Sequence, residues 1–558
     1  MTRRLRHLRL YLDTARHLRP GQILHRFTFR LARPRPDLRP APPRRAFAAD
    51  LVSPARRRAS LVAADTFRFL NETRSLSRHG WDDPALAKLW RYNLHYFDDL
   101  SAEGAVARVD LHAALIARWV AENPPAGGTG WEPYPTSLRL VNWIKWLRAG
   151  HAAPEGMEQS LAVQARWLSR RLERHLLGNH LFANAKALVF AGCHFEGAEA
   201  DRWFRTGMDI LAREIPEQVL PDGAQFELSP MYHALALEDL LDLVNLLRGA
   251  GRAVPPDWAG RIMAMRGWLA AMCHPDGEIG FFNDAAMGIA PSPGEIEAFA
   301  ARLGFAPLPR PPDPSCVWLE ASGYLRLASG PAVALIDVAR IGPDYLPGHA
   351  HADTLSFELS LRGQRVLVNS GTSVYGTGSE RLRQRGTGAH NTVCVDGHDS
   401  SEVWSGFRVA RRARPVGLSL ARKPADGASD QGSVIVTCGH DGYRRLPGRP
   451  VHVRTFLWEA GGLAIRDRIE GPHRSATAAF HFHPDVTLSV AQDGASGEAT
   501  LAGVPLLTFR IAKGAGRVEP STWHPEFGRV QPASRLLVSL TEGESMVDLR
   551  WDRHGAAG

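Results

Sequence analysis

A chain of 558 residues is too long for one ordinary core, so two or three domains are expected. Its 44% hydrophobic and 22% charged content, with 15 Trp, describes a globular protein and excludes a disordered one. The net charge of +9 is lopsided: residues 1–60 hold 16 Arg, no Lys and 3 Asp, a local +13 that leaves −4 for the remainder.

The N-terminus, MTRRLRHLRLYLDTARHLRP, is charged but lacks an apolar core and a small-residue cleavage site. It makes a poor secretory signal, so the cytoplasm is the expected location and the periplasm the alternative. No run of about 18 apolar residues signals a transmembrane helix. Residues 33–58 are rich in Pro and Arg and read as an extended linker or wrapping arm, so residues 1–60 are set apart as an N-terminal arm. Two readings of its arginines stand. They grip phosphates, anionic lipid at a membrane face or acidic polysaccharide, or they lie solvated over the next domain with their stems packed. No finger spacing or basic-aromatic strand pair points to nucleic acid.

From about residue 84 to 305 the pattern is helical, with apolar residues at helical spacing in Leu111–Ala121, Ser160–Leu177, Asp201–Ile215, Met231–Leu247 and Trp258–Met272. Amphipathic helices of similar length joined by short turns predict an α/α toroid or a helical solenoid over residues 61–315. Within it, Asn179 and His180 open the apolar helix LFANAKALVFAG. Asn179 suits an N-cap, a role that leaves His180 unexplained. Ser229 and Pro230 form a strong helix start, which puts Tyr232 in a first turn at a helix end.

Beyond the interruption LPRPPDP the texture changes to short alternating runs: Val333–Ala339, Leu355–Leu361, Arg365–Asn369, Ser433–Cys438, Val451–Trp458 and Leu463–Ile469. These predict stacked antiparallel sheets over residues 316–558. The segment GHAHADTLSF, read as a strand, places His349, His351 and Asp353 on the face that continues as Leu355, Phe357, Leu359 and Leu361. Burying two imidazoles and a carboxylate is costly unless they are paired, ligated or used. His390, with His351 and Asn369, makes a candidate three-ligand metal site; the alternative is a sheet-edge histidine bonded to a carbonyl. Cys193, Cys273, Cys316, Cys394 and Cys438 are scattered and form no C-x-x-C, which argues against a disulfide framework and a zinc ribbon.

Taken together, GNHLFANAKAL, DGAQFELSPMYHALAL, HPDGEIGFFND, GHAHADTLSFEL, VNSGTSVYGTG and GAHNTVCVDG resemble the heparinase II/III-like family of polysaccharide lyases, over roughly residues 90–530. The resemblance implies an α+β multidomain fold, an N-terminal α/α toroid followed by a C-terminal antiparallel β-sandwich. It also implies β-elimination on a uronic-acid-containing polysaccharide, leaving unsaturated uronate ends. By position, Asn179 resembles the residue that neutralises the substrate carboxylate, with His180 assisting. Tyr232 resembles the catalytic tyrosine, His349 the catalytic histidine, and Tyr375 a second tyrosine used by some relatives. Arg139, Asn142 and Trp143 stand with two readings: they line the sugar cleft, Arg for an acidic sugar and Trp for a ring face, or they serve ordinary helix packing. His351, Asn369 and His390 resemble the ligands of a structural zinc, with Asn369 where the family has an acidic residue; a neutral amide is the weaker ligand, so three outcomes stand: weak binding, Asp353 as the substitute ligand, or no metal. Two other classes remain. One is a hydrolase using paired carboxylates from Asp222, Glu227, Asp284 and Asp353; the other is a non-catalytic sugar binder acting in exopolysaccharide production.

Overall fold

The structure is a computed structural model that describes residues 3–423 and 432–552. The outermost residues of the N-terminal arm and of the C-terminal sheet region lie outside the described residues, as does the segment 424–431. The α/α toroid holds Lys88–Tyr96, Val109–Glu122, Pro133–Arg148, Met157–Ser169, Gly178–His194, Gly197–Gln218, Pro230–Gly249, Trp258–Ala271 and Pro293–Arg302. The predicted helix Ser160–Leu177 stops at Ser169; the residues beyond it turn toward the start of the next helix.

Helix Gly178–His194 is buried along almost its whole length, from Leu181 to His194, because neighbours enclose it. Helix Gly197–Gln218 instead buries only a stripe through Trp203, Ile210, Leu211 and Ile215. The two approach closely at Gly192 and Gly207, where an added Cβ would lie 2.6 Å from backbone atoms of the partner helix.

After Cys316 the structure is antiparallel sheet. A five-stranded sheet runs in chain order through Cys316–Leu319, Tyr324–Ser329, Ala332–Asp337, Phe357–Leu361 and Gln364–Leu367. A bridge between Leu367 and Phe482 links it to a four-stranded sheet, and an eight-stranded sheet covers both. Phe357, Leu359, Val366 and Phe480 meet Val436, Phe456, Ile465 and Val547 in the sandwich core. The opposite face of the five-stranded sheet packs on the toroid, where Tyr324 and Leu335 join Trp268, Met272 and Phe282.

The strand reading of GHAHADTLSF holds only from Phe357 onward; residues 348–356 form a loop. Leu355 takes a φ of 68°, and the Ser356 N–H closes a turn onto the Asp353 carbonyl. The polar face of the strand is buried too, because it meets the toroid. His274 bonds Ser360 Oγ at 2.8 Å through Nδ1 and Glu358 Oε2 at 2.9 Å through Nε2.

The arm is not one extended piece. It begins with two helices, Arg3–Ala15 and Pro20–Leu31, and then crosses the toroid. Arg44 pairs with Glu158, Arg45 with Asp201 and Arg57 with Glu238. Those arginines are held within the chain. All five cysteines are free thiols.

Candidate active site

The helix beginning at Pro230 is capped by Ser229, whose Oγ accepts the Tyr232 N–H at 3.2 Å. Tyr232 therefore stands at the helix mouth, facing the loop from the β-domain. Its ring stacks on the His349 imidazole with centroids 3.8 Å apart, and its hydroxyl shares a 2.9 Å hydrogen bond with Tyr375. Burial, reinforced by the neighbouring Tyr375 and Asp284, pushes the Tyr232 phenol well above its ordinary value. The phenol is protonated at neutral pH and available as a proton donor.

Asp284 organises the loop. It accepts from His349 Nδ1 at 2.9 Å, from His351 Nε2 at 2.8 Å and from Arg381 through both terminal nitrogens. Burial works against its ionisation, but the Arg381 guanidinium and the two imidazoles outweigh it and hold the carboxyl well below its ordinary value. An ionised carboxylate only accepts, so His349 carries its proton on Nδ1. Its Nε2 points away from Asp284, and Glu227 Oε2 lies 3.8 Å from it. Phe407 and Tyr375 complete the aromatic wall around the ring.

Asn179 is not the N-cap. The helix starts at Gly178, so Leu177 holds the cap position, with a φ of 65°, and Asn179 lies one residue inside. Its carboxamide is left partly exposed. Its backbone N–H serves Glu227, which connects this helix start to the His349 loop. His180 donates to Glu173 at 3.1 Å and packs on Tyr134 at 4.5 Å. Burial opposes its charge, yet Glu173 beside it raises its pKa above the ordinary histidine value. The first turns of two toroid helices and two β-domain loops thus bring Tyr232, His349 and Tyr375 into contact, with Asn179 and His180 connected to them through Glu227.

Arg139, Asn142 and Trp143 do not join that group, which corrects their place as sugar-lining residues and leaves the helix-packing reading. Arg139 is buried in the toroid, where it donates to Gln164 and to the carbonyls of His95 and Gly130 while lying 3.8 Å over Trp119. Asn142 donates to the Tyr96 carbonyl and to Asp98, and Trp143 is fully buried. Their side chains are buried in helix packing.

His351 Nδ1 and His390 Nε2 face each other at 3.2 Å. The third position of the expected metal site does not match them. The Asn369 amide oxygen accepts the Asn391 N–H at 3.2 Å and its nitrogen lies 3.4 Å from Ser356 Oγ. Asp353, the substitute, accepts the Asn283 N–H at 2.9 Å. Among the described residues no group of three or more His, Cys, Asp or Glu is placed to hold a metal ion. His351 and His390 supply two imidazole donors, and Asn369 offers only a neutral amide beside them in the expected set.

The carboxylates of the hydrolase reading are mostly engaged elsewhere. Asp222 accepts from Ser322, Asp353 from Asn283, and Asp284 is sealed beneath the histidines. Only Glu227 adjoins the cleft. Arg381, Glu173 and Phe407 were not singled out from sequence. The one sequence signal for Arg381 is its position just after the VYGTG motif that carries Tyr375.

Comparison with known proteins places the chain in a family. Residues 116–292 match the family model "Heparinase II/III N-terminus" and residues 311–552 match "Heparinase II/III-like, C-terminal". A heparin-sulfate lyase of Bacteroides stercoris is 29% identical over 269 residues, 44% of this chain and 40% of that protein's own length. FtsZ-localized protein C of Caulobacter vibrioides is 25% identical over 511 residues, 86% of this chain and 84% of that one. The crystal structure of the heparan sulfate lyase HepC from Pedobacter heparinus shares the fold, with a TM-score of 0.56 at 18% identity, covering 88% of this chain and 82% of its own.

Proposed function

Because the chain belongs to the heparinase II/III-like family, we propose that it is a polysaccharide lyase that cleaves a uronic-acid-containing polymer by β-elimination. The observation that carries this reading is the stacking of Tyr232 on His349, 3.8 Å between centroids, beside a second phenol. Removing the C5 proton of a uronate builds charge on its carboxylate, so that carboxylate must first be neutralised. The Asn179 carboxamide and the His180 imidazole, whose charged form Glu173 favours, supply the neutralising contacts. His349, with Nδ1 held by Asp284, offers Nε2 as the base for the C5 proton. Tyr232, kept protonated by its surroundings, delivers a proton to the departing O4. The electron pair of the C5–H bond forms the C4–C5 double bond as the C4–O4 bond breaks. No step passes through a metal.

The test is mass spectrometry of products from a panel of alginate, hyaluronan, heparan and bacterial exopolysaccharides. A lyase leaves fragments one water lighter than hydrolysis does, with an unsaturated end. Hydrated fragments would contradict the proposal.

A second reading is a non-catalytic sugar binder, favoured by one observation. The relative matched over most of its length carries a name that localises it with FtsZ and states no reaction. Tight oligosaccharide binding with no product from any polymer would select this reading.

A further inference from the structure

The two N-terminal helices expose what a globular surface ordinarily hides. Leu5, Leu8 and Leu12 recur on one face of Arg3–Ala15, and Leu24, Phe27 and Leu31 on one face of Pro20–Leu31; each is 55–80% exposed. The opposite faces are anchored. Thr14 Oγ accepts from the Trp404 indole at 3.0 Å, Arg171 lies 3.6 Å over Phe29, and Gln22 donates to the Tyr345 carbonyl at 3.2 Å. The exposed stripes are therefore the outward sides of docked helices. Arg408 lies 5.0 Å over Tyr11 of the first helix, and its charge bears on Arg26 of the second, so the helices meet around it.

The charge is one-sided as well. Residues 9–35 contain seven arginines and, as acids, Asp13 alone. Arg9 and Arg16 share Asp13, and Arg19 pairs with Glu217. Arg30, Arg33 and Arg35 are exposed, and Arg26 faces other cations, Arg408 and Arg30. Apolar stripes flanked by unpaired arginines match a surface that is oily inside and anionic at its rim. No described helix is long and apolar enough to cross a membrane, so such contact lies along the surface.

We propose that helices Arg3–Ala15 and Pro20–Leu31 dock the chain on an anionic lipid bilayer, with Leu5, Leu8, Leu12, Leu24, Phe27 and Leu31 between the headgroups and the arginines on the phosphates. This inference does not depend on the lyase reading. It has a geometric consequence for the cleft. Arg19 lies 3.7 Å over Tyr345, in the same loop as His349, so the docked arm is joined directly to the site loop.

The test is co-sedimentation of the full chain with vesicles of phosphatidylcholine containing phosphatidylglycerol, against phosphatidylcholine alone, alongside light scattering of the free protein. The wild type is expected to pellet with anionic vesicles and to be released by salt. The double variant Leu24→Glu/Phe27→Glu should bind at least about tenfold more weakly with an unchanged thermal melt, since both side chains are exposed. Arg30→Glu/Arg33→Glu should weaken binding to anionic vesicles in the same direction. Three results would overturn the proposal: no vesicle binding by the wild type, binding indifferent to both variants, or a wild-type dimer that Leu24→Glu/Phe27→Glu dissolves, which would assign the stripes to a second copy.

Discussion

His180 shows how one side chain is tuned for an acidic ligand. Glu173 keeps its imidazole charged to higher pH than an ordinary histidine, although burial works the other way. A group with a raised pKa keeps its proton below that value and loses it as pH rises through it. Attraction for a uronate carboxylate should follow, so kcat/KM should fall on the alkaline side, above the ordinary histidine value. His180→Gln should lower kcat/KM and remove that limb; an unchanged pH profile would show that His180 does not meet the substrate. Asn369 is the opposite case, a neutral amide where an anion would complete a donor set with His351 and His390. Asn369→Asp should retain zinc through gel filtration, and the wild type should not, as read by elemental analysis of the purified proteins. Equal zinc content in the two would contradict this account of the site.

At the level of elements, the site loop is held by a buried ion cluster and not by strand pairing. Arg381, on the short helix Ser379–Arg385, is fully buried against Asp284, which in turn fixes His349 and His351. Removing one partner of such a pair leaves an uncompensated buried charge. Arg381→Met should therefore cost about 3–5 kcal/mol in chemical denaturation. A loss under about 1 kcal/mol would mean that the cluster does not carry the loop. This device explains what the sequence concealed. Alternation in GHAHADTLSF suggested a strand, and from Phe357 it is one, but the preceding histidines take their positions from Asp284, 65 residues upstream of His349. Local signals were readable: Ser229 and Pro230 announced the helix start that aims Tyr232. Arg139 could not be decided from sequence, because a buried arginine satisfied by carbonyls has the same local sequence as one awaiting an acidic sugar. The apolar stripes of the N-terminal helices were likewise hidden beneath a run of arginines.

For the whole molecule, the cleft exists because two domains lock in one relative position. The lock is partly apolar, through Trp268, Phe282 and Tyr324, and partly polar, through His274 with Glu358 and Arg365 with Asp276. Polar contacts of this kind are demanding in geometry, since each misplaced partner is left buried and unsatisfied. The proposed reaction draws its acid, Tyr232, and its base, His349, from the two sides of this junction, so a rigid junction would keep both on one sugar ring. The most direct measurement is the initial rate of formation of the conjugated C=C chromophore from an acidic polysaccharide, compared between wild type and Tyr232→Phe at equal folded concentration. The wild type should generate the chromophore, and the variant should be slower by at least about 10²-fold, because it keeps the stacked ring and loses only the proton. Equal rates, or a wild type that degrades the polymer without the chromophore, would contradict the account.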